Sequence, residues 1–295
     1  MLPERVYTPQ SGDKLYHYCS AQTLQAILES KSVRLSDANM MNDYHETKYG
    51  YGVFEEAATE ILNDAELREK FPSLNIDFFD EVDKVISPMQ LRLHPVIACF
   101  SKRADLLSQW VRYGDNGRGF CVGFSAEKLV DMPVTVLEVE YGRLKQLSEM
   151  KIALISLFIR NGVMEKNYGS DFRQECAVLA AFLYAFKASG FQEEQEVRLI
   201  HLLDVVTDGG MPRLKDAGGE VKGKKVKGQM VKYRVSEGAF VAYIDLPFHR
   251  PHSATAIEEI WFGPKNGNGP GNVIYLAGNH GYKGYSLMES KVTYR

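Results

Sequence analysis

Four short segments of this 295-residue chain carry polar side chains where a packed core has little use for them. The first is Tyr16-His17-Tyr18-Cys19-Ser20. Alternation along a strand turns His17 away from Tyr16 and Tyr18, which suits the ring either to a ligand hydroxyl or to half-buried packing. The second, Met41-Asn42-Asp43-Tyr44-His45-Glu46, has the Asn and Asp of a turn. His45 and Glu46 add a base or a ligand to it, without the spacing of H-E-x-x-H. The third couples Cys99-Phe100-Ser101 to Gln109-Trp110-Val111-Arg112-Tyr113. Trp110 and Tyr113 fall three apart on one helix face, either as a core pair or as a surface for stacking a nicotinamide or adenine ring. Ser101 reads as a helix cap or as a strand-end hydroxyl facing a cleft. The fourth is Glu193-Glu194-Gln195-Glu196-Val197-Arg198. A strand there would place Glu194, Glu196 and Arg198 on one face. Carboxylates that close raise each other's pKa unless a cation or a substrate relieves them. Arg198 beside Glu196 favours a site over a solvated turn.

Other chemistries lack their signatures. There is no G-x-S-x-G elbow for a serine nucleophile, and neither G-x-G-x-x-G nor a P-loop for a nucleotide. Gly114, Gly117 and Gly119 lie between a helix and a strand, the reverse of the order that cradles phosphate. The four cysteines form no C-x-x-C pair, and no His or carboxylate pair has helical ligand spacing, so no metal is predicted. Metal-dependent phosphodiester hydrolysis would need His45, Glu46, Glu194 and Glu196 to converge. Between Arg213 and Arg234 stand eight Lys/Arg against two acidic residues, a local charge of +6. The remainder therefore carries −9 of a net charge of −3. Lys222, Lys224, Lys225 and Lys227 could meet the phosphates of a nucleic acid, but this Lys-rich loop has no interleaved aromatics. A solvated loop is the simpler reading.

The elements that must position these residues follow from periodicity. Predicted strands are Leu15–Tyr18, Val33–Leu35, Pro95–Phe100, Phe120–Phe124, Thr135–Tyr141, Gln195–Leu203, Phe240–Leu246, Glu259–Phe262, Asn272–Leu276 and Met288–Thr293. Predicted helices cover Leu24–Leu28 behind a Ser20 cap, Tyr51–Phe71, Ala104–Tyr113, Leu144–Asn161 and Asp171–Ala188. Ser36 to Glu46 reads as a loop. Strands and helices are interspersed without a repeating strand-helix-strand unit, which argues for an α+β fold with a mixed, largely antiparallel sheet. The organisation expected is one elaborated domain over 1–295. It would carry helical insertions at 53–90 and 144–190 and a flexible basic loop or hairpin at 204–237. The longest uncharged apolar run, Ala177–Phe186, is too short to span a bilayer, and no signal peptide is visible. A cytoplasmic protein with no membrane partner is expected.

The same segments, in order, carry a family resemblance: Leu15-Tyr-His-Tyr-Cys-Ser20, Thr23-Leu24, Ile27-Leu28, Arg34-Leu-Ser36, Asn42-Asp43 with Glu46, Cys99-Phe-Ser101, Trp110 with Tyr113, Gly119-Phe-Cys-Val-Gly-Phe124, Glu194-x-Glu196-x-Arg198 and Ile260-Trp-Phe-Gly-Pro264. This set resembles the bacterial domain-of-unknown-function 2971 family, with Tyr44 replacing the proline of its Asn-Asp-Pro-x-Glu form. More remotely, the pattern is similar to ADP-ribosyltransferases, which set a His or Arg on an early strand, a Ser or Tyr on a middle one and a catalytic Glu late, often in Glu-x-Glu. That resemblance implies NAD as substrate and a catalytic trio of Glu196, Glu194 and His17. It also implies that His17, Tyr18, Ser101, Trp110, Tyr113 and Arg198 bind the dinucleotide, and that Asn42, Asp43, His45 and Glu46 form a substrate loop. It implies a macromolecular acceptor and the work of a toxin or phage-defence effector. The rival expectations are a non-catalytic nucleotide- or RNA-binding sensor and the metal-dependent phosphodiesterase.

Overall fold

A computed structural model describes residues 5–40, 44–87, 93–161, 168–236, 238–248 and 256–294. The order is β1 (Lys14–Cys19), α1 (Ala21–Ser30), β2 (Ser32–Asp37), α2 (Tyr44–Asn63), α3 (Ala65–Lys70), α4 (Ile76–Ile86), β3 (Leu93–Ser101), α5 (Leu107–Arg112), β4 (Phe120–Ser125), α6 (Ala126–Val130), β5 (Thr135–Glu138), α7 (Arg143–Asn161) and α8 (Ser170–Leu183). There follow β6 (Glu196–Asp208), β7 (Met211–Lys215), β8 (Gly219–Val221), β9 (Lys224–Val226), β10 (Lys232–Ser236), β11 (Ala239–Pro247), β12 (Ile257–Phe262), α9 (Pro270–Asn279) and β13 (Ser286–Glu289). The fold is α+β, and apart from the parallel pair β12–β13 the ladders of its main sheet are antiparallel.

Local chemistry sets the element ends. The Ser20 hydroxyl accepts from the Thr23 amide and caps α1, whose Leu24, Ile27 and Leu28 are buried on one stripe. Asn75 caps α4 in the same way, and Phe78, Phe79, Val82, Val85 and Ile86 form its buried face. The single helix expected over Tyr51–Phe71 is broken, because Asp64 leaves the helical track and caps α3 with its side chain.

β3 organises the sheet. Its whole length pairs with β6 on one edge. On the other edge β1 joins at Tyr16↔Ser101, and β2 joins at Ser36↔Ile97 and Asp37↔Val96. Ala98 to Phe100 lie between these two contacts, so the sheet forks there. One wing runs β1–β4–β12–β13 and the other β2–β11–β10. Two cores cover opposite faces. One combines α1, α6 and α9 with Val96, Ala98, Phe100, Val197 and Leu199. The other combines α2, α4, α7 and α8 with Ile97, Leu137 and Ile200.

Several expectations need correction. Asn272–Leu276 lies within helix α9, not a strand: Pro270 opens the helix, and Val273 and Ala277, four apart, are buried. Ser36 and Asp37 extend β2, a 3-10 turn follows at Ala38–Met40, and α2 begins at Tyr44, so Ser36–Glu46 is not one loop. Of the two forms expected for the basic segment, loop or hairpin, the described residues take the second: β6 turns into β7, β8 into β9, and β10 pairs with β11. In the β8–β9 turn Lys222 and Gly223 both have positive φ, 49° and 75°, the mirror-image geometry that matches strand twist.

Candidate functional site

β6 begins at Glu196, one residue after Gln195 takes the left-handed conformation (φ 44°). The expected strand through Glu194, Glu196 and Arg198 is therefore corrected: Glu194 ends a 3-10 helix over Ser189–Glu194. The kink nevertheless turns both carboxylates toward Lys187. Its ammonium donates to Glu194 Oε2 at 2.7 Å and to Glu196 Oε2 at 3.1 Å. Arg198 donates from Nε and Nη2 to the two oxygens of Glu196 at 2.8 and 2.9 Å, a bidentate fork. Its Nη1 reaches the Tyr184 carbonyl at 2.9 Å. Arg112 donates to Glu194 Oε1 at 3.0 Å. The chain of charge runs Arg112, Glu194, Lys187, Glu196, Arg198. Lys187 and Arg198 are buried, while the Arg112 side chain is 48% exposed, so the chain leads from the interior to the surface.

Burial works to raise the pKa of Glu196, but Arg198, Lys187 and the Cys99 thiol outweigh it and hold the carboxyl ionised, with a pKa of about 2. Burial pushes Tyr113 up to about 12, so its phenol keeps its proton. Tyr141 accepts the Glu196 amide at 2.9 Å. Ser101 donates to the Glu194 carbonyl at 2.7 Å and accepts the Arg103 amide at 3.0 Å, which ties β3 to the start of β6.

Tyr16, Ser101 and Glu196 form one cross-sheet row through β1, β3 and β6. Partners directly opposite in antiparallel strands share a face, so His17 lies on the other face. There its ring contacts Phe100 at 5.4 Å between centroids. His17 Nδ1 is 3.0 Å from the Cys99 carbonyl, an acceptor, so Nδ1 carries the proton. Burial lowers the His17 pKa below its ordinary 6.5. The neutral ring therefore presents an unprotonated Nε2, which has no hydrogen-bond partner among the described residues.

Tyr18 and Trp110 are core residues here. They stack edge to face at 4.9 Å, with Tyr18 donating to the Arg103 carbonyl and Trp110 to Asp105. The reading of Trp110 as a cofactor-stacking surface is corrected by its complete burial. Tyr113 instead lies at the exposed end, within reach of Arg112, whose guanidinium also covers Phe191 at 5.2 Å. Asn42, Asp43 and the side chains of His45 and Glu46 lie outside the described residues. Among the described residues no cluster of His, Cys, Asp and Glu could hold a metal ion, and no helix is long and apolar enough to cross a membrane.

Sequence reasoning missed Lys187, Tyr141 and Gln146. Lys187 had a signal, since it is a lone cation in the apolar run Ala185-Phe186-Lys187-Ala188. Gln146 is fully buried and donates to the carbonyls of Glu140 and Lys187, fixing the backbone that carries the ammonium. Its signal is its place on the buried stripe of α7 with Met150 and Leu154, a polar residue where the helical spacing asks for an apolar one. No curated protein and no solved structure matches the chain. Over residues 109–199, the stretch holding Arg112, Tyr113, Lys187, Glu194, Glu196 and Arg198, the chain is similar to the family described as "Protein of unknown function (DUF2971)".

Proposed function

We propose that this chain is an NAD-consuming enzyme of the ADP-ribosyltransferase kind. One observation carries the reading: the early, middle and late strands that bear His17, Ser101 and Glu196 are neighbours in the sheet, within two strand spacings, about 10 Å. In the reaction the bond between nicotinamide nitrogen and ribose C1′ breaks, and its electron pair leaves with nicotinamide. The acceptor nucleophile forms a bond to C1′ and gives up its proton to a carboxylate. Positive charge grows on the ribose as the bond breaks, and an ionised carboxylate in a dry site stabilises it. Glu196 is ionised and buried, and to face that charge it would have to be drawn from Lys187 and Arg198, which hold both of its oxygens. His17 lies on the opposite face, so its role rests on the fork, where Cys99 is paired with β6 but neither β1 nor β2 pairs with its other edge. From there its bare Nε2 would accept a ribose hydroxyl. Arg112 stands at the exposed end of the charge chain, where an incoming diphosphate would compete with Glu194 for it.

The test is release of nicotinamide from NAD, followed with transfer of labelled ADP-ribose to a cell lysate. The expected result is turnover that Glu196→Gln abolishes and Arg112→Ala slows through a higher KM. Thermal melts of each variant separate lost chemistry from lost folding. Absence of turnover by the parent, or full turnover by a folded Glu196→Gln protein, overturns the proposal.

A further inference from the structure

The wing that ends at β10 leaves an aromatic face uncovered. Val235 pairs with Phe240 and Tyr233 with Ala242, so Tyr233, Val235 and Phe240 share one face of the β10–β11 hairpin. They are 58%, 67% and 76% exposed. The face continues that of Ile244 and Leu246, which belong to the core under α1. Large side chains on the solvent side of a soluble protein form a patch of this kind where something docks.

Charge says what docks. The hairpin lies at the end of the +6 segment, in a chain that is otherwise acidic. Lys222 is paired with Asp131 and Lys232 with Asp245. Lys224, Lys225, Lys227 and Arg234 are exposed and make no ion pair among the described residues. Leu214 and Val231, which flank the β8–β9 hairpin, pack on the same core, so the lysines are rooted on the aromatic side of the sheet. Arg234 points to the opposite face, but among the described residues β10 ends the path of the sheet, and the long side chain can reach around that edge.

From these positions we infer that the β10–β11 face binds single-stranded nucleic acid. Bases stack on Tyr233 and Phe240, and phosphates lie along Arg234 and the β8–β9 lysines. Stacking needs unpaired bases, and it tolerates sequence because every base has a π-face. Tyr233 lies within the basic segment and Phe240 just beyond it, so cations and aromatics come from one stretch of chain. The inference stands independently of the transferase reading.

The experiment uses the full chain and short fluorescent oligonucleotides, single-stranded RNA, single-stranded DNA and duplex, read by anisotropy at roughly 50 and 200 mM salt. The expected result is single-strand binding that weakens steeply with salt, with the RNA and DNA arms showing which sugar is preferred. Tyr233→Ala with Phe240→Ala should weaken it about tenfold or more and leave the salt dependence alone. Neutralising Lys224, Lys225 and Lys227 to Gln should lower the slope of log K against log salt by about two. All five positions are exposed, so melting should not move. No binding at the lower salt, preference for duplex, or full binding by the aromatic double variant overturns the inference. So does a concentration-dependent dimer that Phe240→Asp dissociates, because the face would then be covered by a second copy.

Discussion

A carboxylate as buried as Glu196 survives only because both of its oxygens are taken by cations. Replacing a partner of such a pair leaves a charge without compensation, which is why buried ion pairs are costly to break and weak as a source of net stability. The pH dependence follows from the direction of the shift. Unfolded, the carboxyl titrates near its ordinary 4.5; folded, it holds its charge down to about 2. Between those values the unfolded chain binds the extra proton, so Glu196 adds stability that is complete above 4.5 and is lost as pH falls toward 2. The size is about 3 kcal/mol from the shift alone. Urea unfolding followed across that window should show a steep fall for the parent and a shallower one for Glu196→Gln. Equal slopes would mean that the carboxyl is not held in this way. His17 works in the same direction at higher pH: its lowered pKa removes stability as pH falls below 6.5.

Among elements, the turn between α5 and β4 fixes the end of β1 against the aromatic pair above it. Asp115, Asn116 and Gly117 are all left-handed, with φ of 50°, 54° and 82°. The chain then passes so close to β1 that a Cβ on Gly119 would lie 2.1 Å from the Cys19 carbonyl. That oxygen is backbone and cannot swing aside. Gly119→Ala should therefore lower the unfolding free energy by about 1–3 kcal/mol, the range for overpacking, in chemical denaturation. A neutral result would show that β1 and β4 can part without cost. The helical elements were legible where caps and stripes coincide, as at Ser20 with Leu24, Ile27 and Leu28. They were illegible where an apolar run is short. Asn272–Leu276 is apolar enough for a strand, and only the Gly269-Pro270 start marks the helix.

Over the whole molecule, stability is graded outward from β3. That strand and β6 sit between the two cores, whereas β8, β9 and β10 bury little beyond Val221. Hydrogen exchange should be slowest at the amides of Phe100, Val197 and Leu199 and fastest along Lys224–Val226 and Lys232–Ser236. Protection of the β8–β10 segment equal to the centre would contradict the grading. The sequence by itself determined the α+β class, the lack of P-loop and Rossmann glycine motifs, and the identity of Glu194, Glu196 and Arg198 as a charged cluster. These depend on residue type and on spacings of a few positions. Only the tertiary structure decided that β3 lies between β1 and β6, that His17 and Glu196 take opposite faces, that Lys187 bridges two carboxylates, and that Tyr233, Val235 and Phe240 share one exposed face. Strand partners far apart in the chain are chosen by the burial of whole faces against the entropy of closing long loops, and no local pattern records that choice.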